Sequence, residues 1–179
     1  MFKPPQILVA MPSLRDGYFD KSVVLLCEYG DSGAMGFVIN SPSNTTVDDL
    51  LCELNLHTTP KQEQVILIGG PVQPELCWVV HTPDFQGRST TPIGKDLALS
   101  AAQEVLTELT EGKVPEFYMV GVGYAGWGAG QLDREIEEDA WWLADLDVMS
   151  IVARPHEERW GCVMKTLGLD PYSAATRKV

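Results

Sequence analysis

The sequence predicts a single α+β domain. Three observations carry that expectation. Apolar runs joined by glycine-bounded turns come early, helical periodicity comes late, and β and α segments do not alternate regularly. There is no internal repeat and no long linker. A doubly wound sheet would need the alternation that is missing here.

The elements follow in order. Ile7 to Pro12 reads as a short strand stopped by proline. Ser22–Tyr29 and Ala34–Ile39 are apolar, and Gly30-Asp31-Ser32-Gly33 between them has turn chemistry, so a hairpin is predicted that ends at Asn40-Ser41-Pro42-Ser43-Asn44. Thr46-Val47-Asp48-Asp49 fits a capping box with Asp in the place usually held by Glu or Gln, and Leu50, Leu51 and Leu54 follow on one helical face. Gln64–Ile68 and Cys77–His81 read as strands paired antiparallel around the Gly69-Gly70-Pro71 corner.

Ala98, Ala101, Ala102, Val105, Leu106 and Leu109 keep helical spacing, which predicts a helix from Lys95 to Thr110, closed by Gly112 and Pro115. Glu116–Val122 is a strand that feeds a glycine-dense segment. Short helices are expected at Gln131–Asp139 and His156–Leu167, with a strand at Trp141–Leu146 between them. Residues 172–179 read as a loose tail.

Composition bounds the function. Twenty-five acidic against 13 basic side chains give a formal charge of -12, which repels phosphate backbones, so nucleic acid is not the expected partner. No run is long enough to span a bilayer and no signal peptide is read at the N-terminus, so no membrane association is expected. Cys27, Cys52, Cys77 and Cys162 lie far apart, without a Cys-x-x-Cys pair, which points to a reduced cytoplasmic protein. Cys27 lacks a local cation and reads as a buried, inert thiol.

Gly121-Val122-Gly123-Tyr124-Ala125-Gly126 spells Gly-x-Gly-x-x-Gly, and Asp145 or Asp147 lies about 20 residues on, where a ribose-binding carboxylate would be sought. Yet no second β-α repeat completes a dinucleotide site, and Trp127 with two further glycines separates the motif from its helix. The expected form is a packed turn that makes room for Tyr124 and Trp127. The acidic run Asp133–Asp139 reads as a solvated helix face. His57, His81 and His156 have no metal-ligand spacing, and neither a nucleophile elbow nor a phosphate loop is present. No catalytic residue, cofactor or metal ligand is therefore assigned.

Four blocks in order resemble the AlgH/YqgE family of bacterial proteins. They are Ala10-Met11-Pro12-Ser13-Leu14 with Asp16, Phe19 and Lys21–Glu28; Gly33–Asn40; Gly69-Gly70-Pro71-Val72-Gln73; and Gly123–Leu132 with Glu135-Ile136. The resemblance runs from Ile7 to Pro171. It implies one domain with a bent or barrel-like, mainly antiparallel sheet flanked by helices. Members carry the label of transcriptional regulators, but no helix-turn-helix pattern or basic face supports DNA contact here.

The resulting expectation is a non-enzymatic cytoplasmic binding or regulatory module for a protein or small-molecule partner. Its surface would be built from Asp16, Ser22, Asn40, Gly70, Gln73, Tyr124, Trp127 and Gln131. The alternative is a nucleotide-binding protein or enzyme that uses the 121–131 glycine loop, and a DNA-associated regulator comes third.

Overall fold

The computed structural model describes residues 3–14 and 16–169. Its strands are β1 Gln6–Ala10, β2 Val23–Gly30, β3 Gly33–Val38, β4 Pro42–Thr46, β5 Val65–Ile68, β6 Val72–His81, β7 Thr91–Ile93, β8 Leu97–Ala101, β9 Tyr118–Gly128 and β10 Trp141–Ala144. The helices are α1 Val47–Glu53, α2 Ala102–Thr110, α3 Gln131–Glu137, α4 Val148–Val152 and α5 His156–Thr166. The class is α+β and the strand pairing mainly antiparallel, as expected. The described residues form two compact units, one from those up to Ser41 together with those from Ala125 onward, the other from Pro42 to Tyr124. β9 contributes to both. No described helix is long and apolar enough to cross a membrane.

In the first unit β10, β1, β2, β3 and the Ala125–Gly128 end of β9 pair antiparallel in that order. Leu8, Val24, Leu26, Trp127, Leu132 and Trp141 form its core cluster. Ile7, Val9, Val23 and Leu25 alternate with these and are also fully buried. Burial on both faces explains why β1 and β2 read as unbroken apolar runs. The hairpin of β2 and β3 forms as predicted, and α3 and α5 fall where their periodicity placed them.

In the second unit β9 lies between β5 and β6, with β8 and β7 beyond β6. The β5–β9 pair is parallel, while β6–β9, β6–β8 and β7–β8 are antiparallel. Val47 and Leu51 of α1 and Val105, Leu106 and Leu109 of α2 pack with Ile66, Val79 and Val120. The predicted capping box forms: Thr46 Oγ1 accepts from the Asp49 amide, and the Asp49 carboxylate accepts from the Thr46 amide.

Several expectations are overturned. β5 and β6 do not pair with each other across Gly69-Gly70-Pro71, because β9 runs between them. The segment expected only to end the first hairpin forms β4, which pairs with β5 and places its proline at the first residue, where a missing amide is tolerated. The helix expected from Lys95 begins at Ala102, and Leu97–Ala101 is strand β8, bonded to both β6 and β7. Alanine's helix propensity yields there to two ladders of tertiary hydrogen bonds. β7 and α4 were not anticipated, and β10 ends at Ala144 rather than Leu146. The glycine segment is not a turn: β9 continues through it to Gly128. The expected tail lies outside the described residues.

Candidate binding surface

Gly121 and Gly123 leave one side of β9 bare, and Trp78 of β6 fills the space. Trp78 stands opposite Gly121 in register and is 3% exposed. A Cβ on Gly121 would overlap the indole ring, and one on Gly69 would lie 2.8 Å from Trp78 Cζ2. Trp78 Nε1 donates to the Gly123 carbonyl at 2.7 Å. Gly123 itself has φ +71°, and a Cβ there would run into the Gly70 carbonyl. Close approach of backbone and indole accounts for these glycines. A dinucleotide motif would open its glycines directly onto a helix N-terminus, whereas here they lie in a hydrogen-bonded strand and α3 starts only at Gln131.

The same corner carries an unusual excursion. Val72 pairs with Tyr124 and Cys77 with Val122, so residues 73–76 stand opposite Gly123 alone. Gln73, Pro74, Glu75 and Leu76 are all exposed, and Gln73 holds φ +44°, a sparsely populated region for a residue with a side chain. Register puts Ile68, Val122 and Cys77 in one row across the sheet, with Tyr124 and Val72 in the next. This face continues that of Ile66, Val120 and Val79, which α1 and α2 cover. Beyond the helices the cover thins: Ile68 is 36% and Leu76 45% exposed. Of the sequence-predicted residues, Gly70, Gln73 and Tyr124 come together here.

The other five belong to the first unit, where they build structure. Trp127 is 7% exposed. Its Nε1 and that of Trp141 both donate to Glu135 Oε2 at 2.9 Å, while Gln131 Nε2 donates to Glu135 Oε1 at 2.9 Å. The two indoles meet edge to face with centroids 5.7 Å apart. Gln131 Oε1 also accepts from the Gly128 amide at 3.0 Å. Asp16 Oδ1 accepts from the Tyr18 and Phe19 amides. Asn40 accepts from the Val23 amide and donates to the Lys21 carbonyl, both at 2.8 Å, and Ser22 is buried between them along the chain.

Several chemically interesting groups had no sequence signature. His81 and Ser100 lie on adjacent strands, with Nε2 and Oγ 2.8 Å apart. The Thr82 carbonyl accepts from Nδ1 at 2.8 Å, and the Ser100 hydroxyl also meets that of Thr90. Both side chains are buried, His81 completely and Ser100 to 2% exposure, so the pair satisfies itself inside the sheet. Arg159 is likewise buried, and its guanidinium donates to the carbonyls of Ile39, of Val152 at 2.6 Å and of Arg154 at 3.0 Å. Burial lowers its pKa to about 10.

A groove of about 490 Å³ in the second unit is lined in part by Asp84, Phe85, Glu104, Glu108, Lys113 and Val114. Its carboxylates are already engaged. Asp84 takes the Thr82 hydroxyl and the Glu116 amide, Glu104 takes Ser89 and the Arg88 amide, and Glu108 takes Lys113 at 2.9 Å. The hydrogen bonds from Thr82 and from Ser89 hold Asp84 and Glu104, respectively, below the usual carboxylate range. Burial of the thiol, with Glu28 adding to it, pushes the Cys27 pKa up to about 12, while the residue as a whole is partly rather than fully buried. Among the described residues no three His, Cys, Asp or Glu side chains converge as a metal site.

Comparison with known proteins gives a consistent picture. A family model described as AlgH-like matches residues 7–172. A UPF0301 protein of Shewanella loihica is 37% identical over 174 residues, which is 96% of this chain and 94% of that protein. One from Chromobacterium violaceum is 39% identical over 92% of this chain and 89% of its own length. The solution structure of the AlgH protein from Pseudomonas aeruginosa superposes with a TM-score of 0.78 at 34% identity, covering 100% of this chain and 97% of that one. The crystal structure of a Corynebacterium diphtheriae protein matches with a TM-score of 0.73 at 26% identity, over 93% and 87% of the two chains.

Proposed function

The chain belongs to the AlgH-like family, and we propose that it acts as a cytoplasmic binding or regulatory module that recruits a protein partner through the corner around Gly70, Gln73 and Tyr124. The observation that carries this reading is the apolar sheet face that runs past its helical cover to Ile68 and Tyr124, beside the exposed excursion ending at Leu76. Apolar surface displayed on a rigid base suits association, because little order has to be gained on binding. The base is rigid for a physical reason: Trp78 locks Gly69, Gly121 and Gly123 together beneath it. A cytoplasmic setting is supported by four cysteines that all remain free.

Trp127, Gln131 and Asn40 hold the first unit together, so substituting them would report on folding. Ile68→Ser, Leu76→Ser and Tyr124→Ser instead alter the proposed contact. Each variant should keep the wild-type circular dichroism and melting profile. In quantitative pull-downs from bacterial lysate, one partner should be lost from all three. The purified partner should then protect the amides of residues 68–76 and 122–124 from hydrogen exchange. If the folded variants retain every partner, the corner is not the contact surface.

A further inference from the structure

The groove in the second unit sets separated negative charge around an apolar middle. It is lined by the loop that follows β6, by α2 and by the loop that follows α2. Carboxylates lace these segments together. Glu104 accepts from the Arg88 and Ser89 amides of the first loop. Glu108, one helical turn on, pairs with Lys113 of the second loop at 2.9 Å. Asp84 of the first loop accepts from the Glu116 amide of the second at 2.8 Å. The frame is therefore built before any ligand enters. Phe85, Val114 and Pro115 supply the apolar lining. Val114 is 49% exposed, and Phe85 stands edge to face against the buried His81 ring, with centroids 5.2 Å apart.

An ionised carboxylate accepts about four hydrogen bonds, so the lacing exhausts none of the three. The Thr82 and Ser89 hydroxyls that bond Asp84 and Glu104 also keep both charged at neutral pH. The cations beside them are Arg88, whose charge acts on Glu104, and Lys113, which Glu108 shares with Glu111. Among the described residues no three acids converge as a metal site, so these charges suit a ligand whose own charges lie apart. Lys113 shows what Glu108 accepts, an alkylammonium. Its side chain is 65% exposed, and such surface pairs are weak enough to exchange. We propose that the groove binds a linear aliphatic polyamine. One ammonium sits by Asp84, a second replaces Lys113 at Glu108, and the methylenes between them lie on Phe85 and Val114. The carboxylates select the ammonium groups, and the apolar lining selects the alkyl chain that joins them. This groove shares no residue with the Gly70–Tyr124 corner and does not depend on it.

The test titrates the full chain with spermidine, with n-butylamine and with magnesium, at constant ionic strength, by calorimetry and by amide NMR shifts. Spermidine should bind saturably and shift the amides of residues 84–89 and 113–116. Butylamine lacks the second ammonium and should bind roughly tenfold more weakly or worse, since a hydrogen bond to a charged group is lost. Magnesium carries charge without length and should not reproduce the shifts. Glu108→Gln, checked for its fold by circular dichroism, should weaken spermidine binding by a similar factor. Val114→Ser should weaken it less. Lys113→Gln removes the competing ammonium and should tighten it severalfold, an effect that a merely structural lysine would not give. The proposal is overturned if spermidine does not saturate, if butylamine binds as tightly, if magnesium gives the same shifts, if the shifts fall outside the groove, or if folded Glu108→Gln keeps the wild-type affinity.

Discussion

At one end of β9 the strand makes way for an indole; at the other it carries one. Over Gly121–Gly123 the strand presents bare backbone, and Trp78 arrives from β6 to occupy the space, with its N–H bound to a main-chain carbonyl. Over Ala125–Gly128 the strand supplies Trp127 itself, and that N–H, together with the one from Trp141, ends on the Glu135 carboxylate. The first node depends on the absence of a methyl group. The second depends on the presence of an acceptor. A single glycine-rich stretch therefore serves two kinds of packing, and substitutions at its two ends should fail for different reasons.

The largest effect is expected where sterics rule. Gly121→Ala places a Cβ inside the Trp78 ring, and a close-packed interior has no slack to absorb it. A loss of about 3 kcal/mol in urea unfolding is expected, at the upper end of what overpacking usually costs. Trp78→Leu in the same chain removes the obstacle, so the double variant should be more stable than the sum of the two single losses predicts. Simple additivity would show that the indole and Gly121 do not compete for space.

Glu135→Leu breaks the other node without any steric conflict. It leaves two indole N–H groups and the Gln131 amide without their acceptor, and an unsatisfied buried donor typically costs about 1–3 kcal/mol. Because Glu135 and Gln131 are only partly buried, water recovers part of that loss, and about 2 kcal/mol is expected. Glu135→Gln keeps one acceptor oxygen and should lie between the wild type and the leucine variant. Equal losses for Gln and Leu would mean that the carboxylate's hydrogen bonds are not what holds the node.

The contrast also explains how much of the molecule could be read in advance. Local chemistry was readable: Thr46 and Asp49 cap α1 through contacts three residues apart, and Gly30–Gly33 turns β2 into β3. Gly121 and Gly123 also carried a strand signal, since they repeat with period 2, but clustered glycines resemble a turn. What vacates one face of the strand is visible in the sequence; what fills it is a tryptophan far upstream, and only the fold brings it there. The same holds for Leu97–Ala101, whose alanines satisfy a helical period while β6 and β7 on either side decide for strand. Gln73 and Tyr124, which the proposed surface keeps, stand out in the sequence only because they belong to glycine-marked blocks. Trp127 and Gln131 stand out for the same reason, yet Trp127 Nε1 and Gln131 Nε2 are spent on Glu135 and Gln131 Oε1 on the Gly128 amide.

The smallest effect discriminates most finely. Trp127→Phe and Trp141→Phe each remove one N–H and keep an aromatic ring in the edge-to-face pair. Hydrogen bonds to a charged group contribute about 1.5–3 kcal/mol in favourable settings. Here, however, both donors converge on the single oxygen Oε2, and Gln131 continues to satisfy Oε1. After the first substitution the remaining indole can tighten on Oε2, so each single change should cost only about 1 kcal/mol. The second then removes the last indole donor from that oxygen and should cost more than the first. A double-mutant cycle in urea should therefore return a loss for the pair that exceeds the sum of the singles. A cycle that closes without coupling would make the two hydrogen bonds independent. Glu135 would then be a surface carboxylate that two tryptophans happen to touch, and the distinction between the two ends of β9 would rest on Gly121 alone.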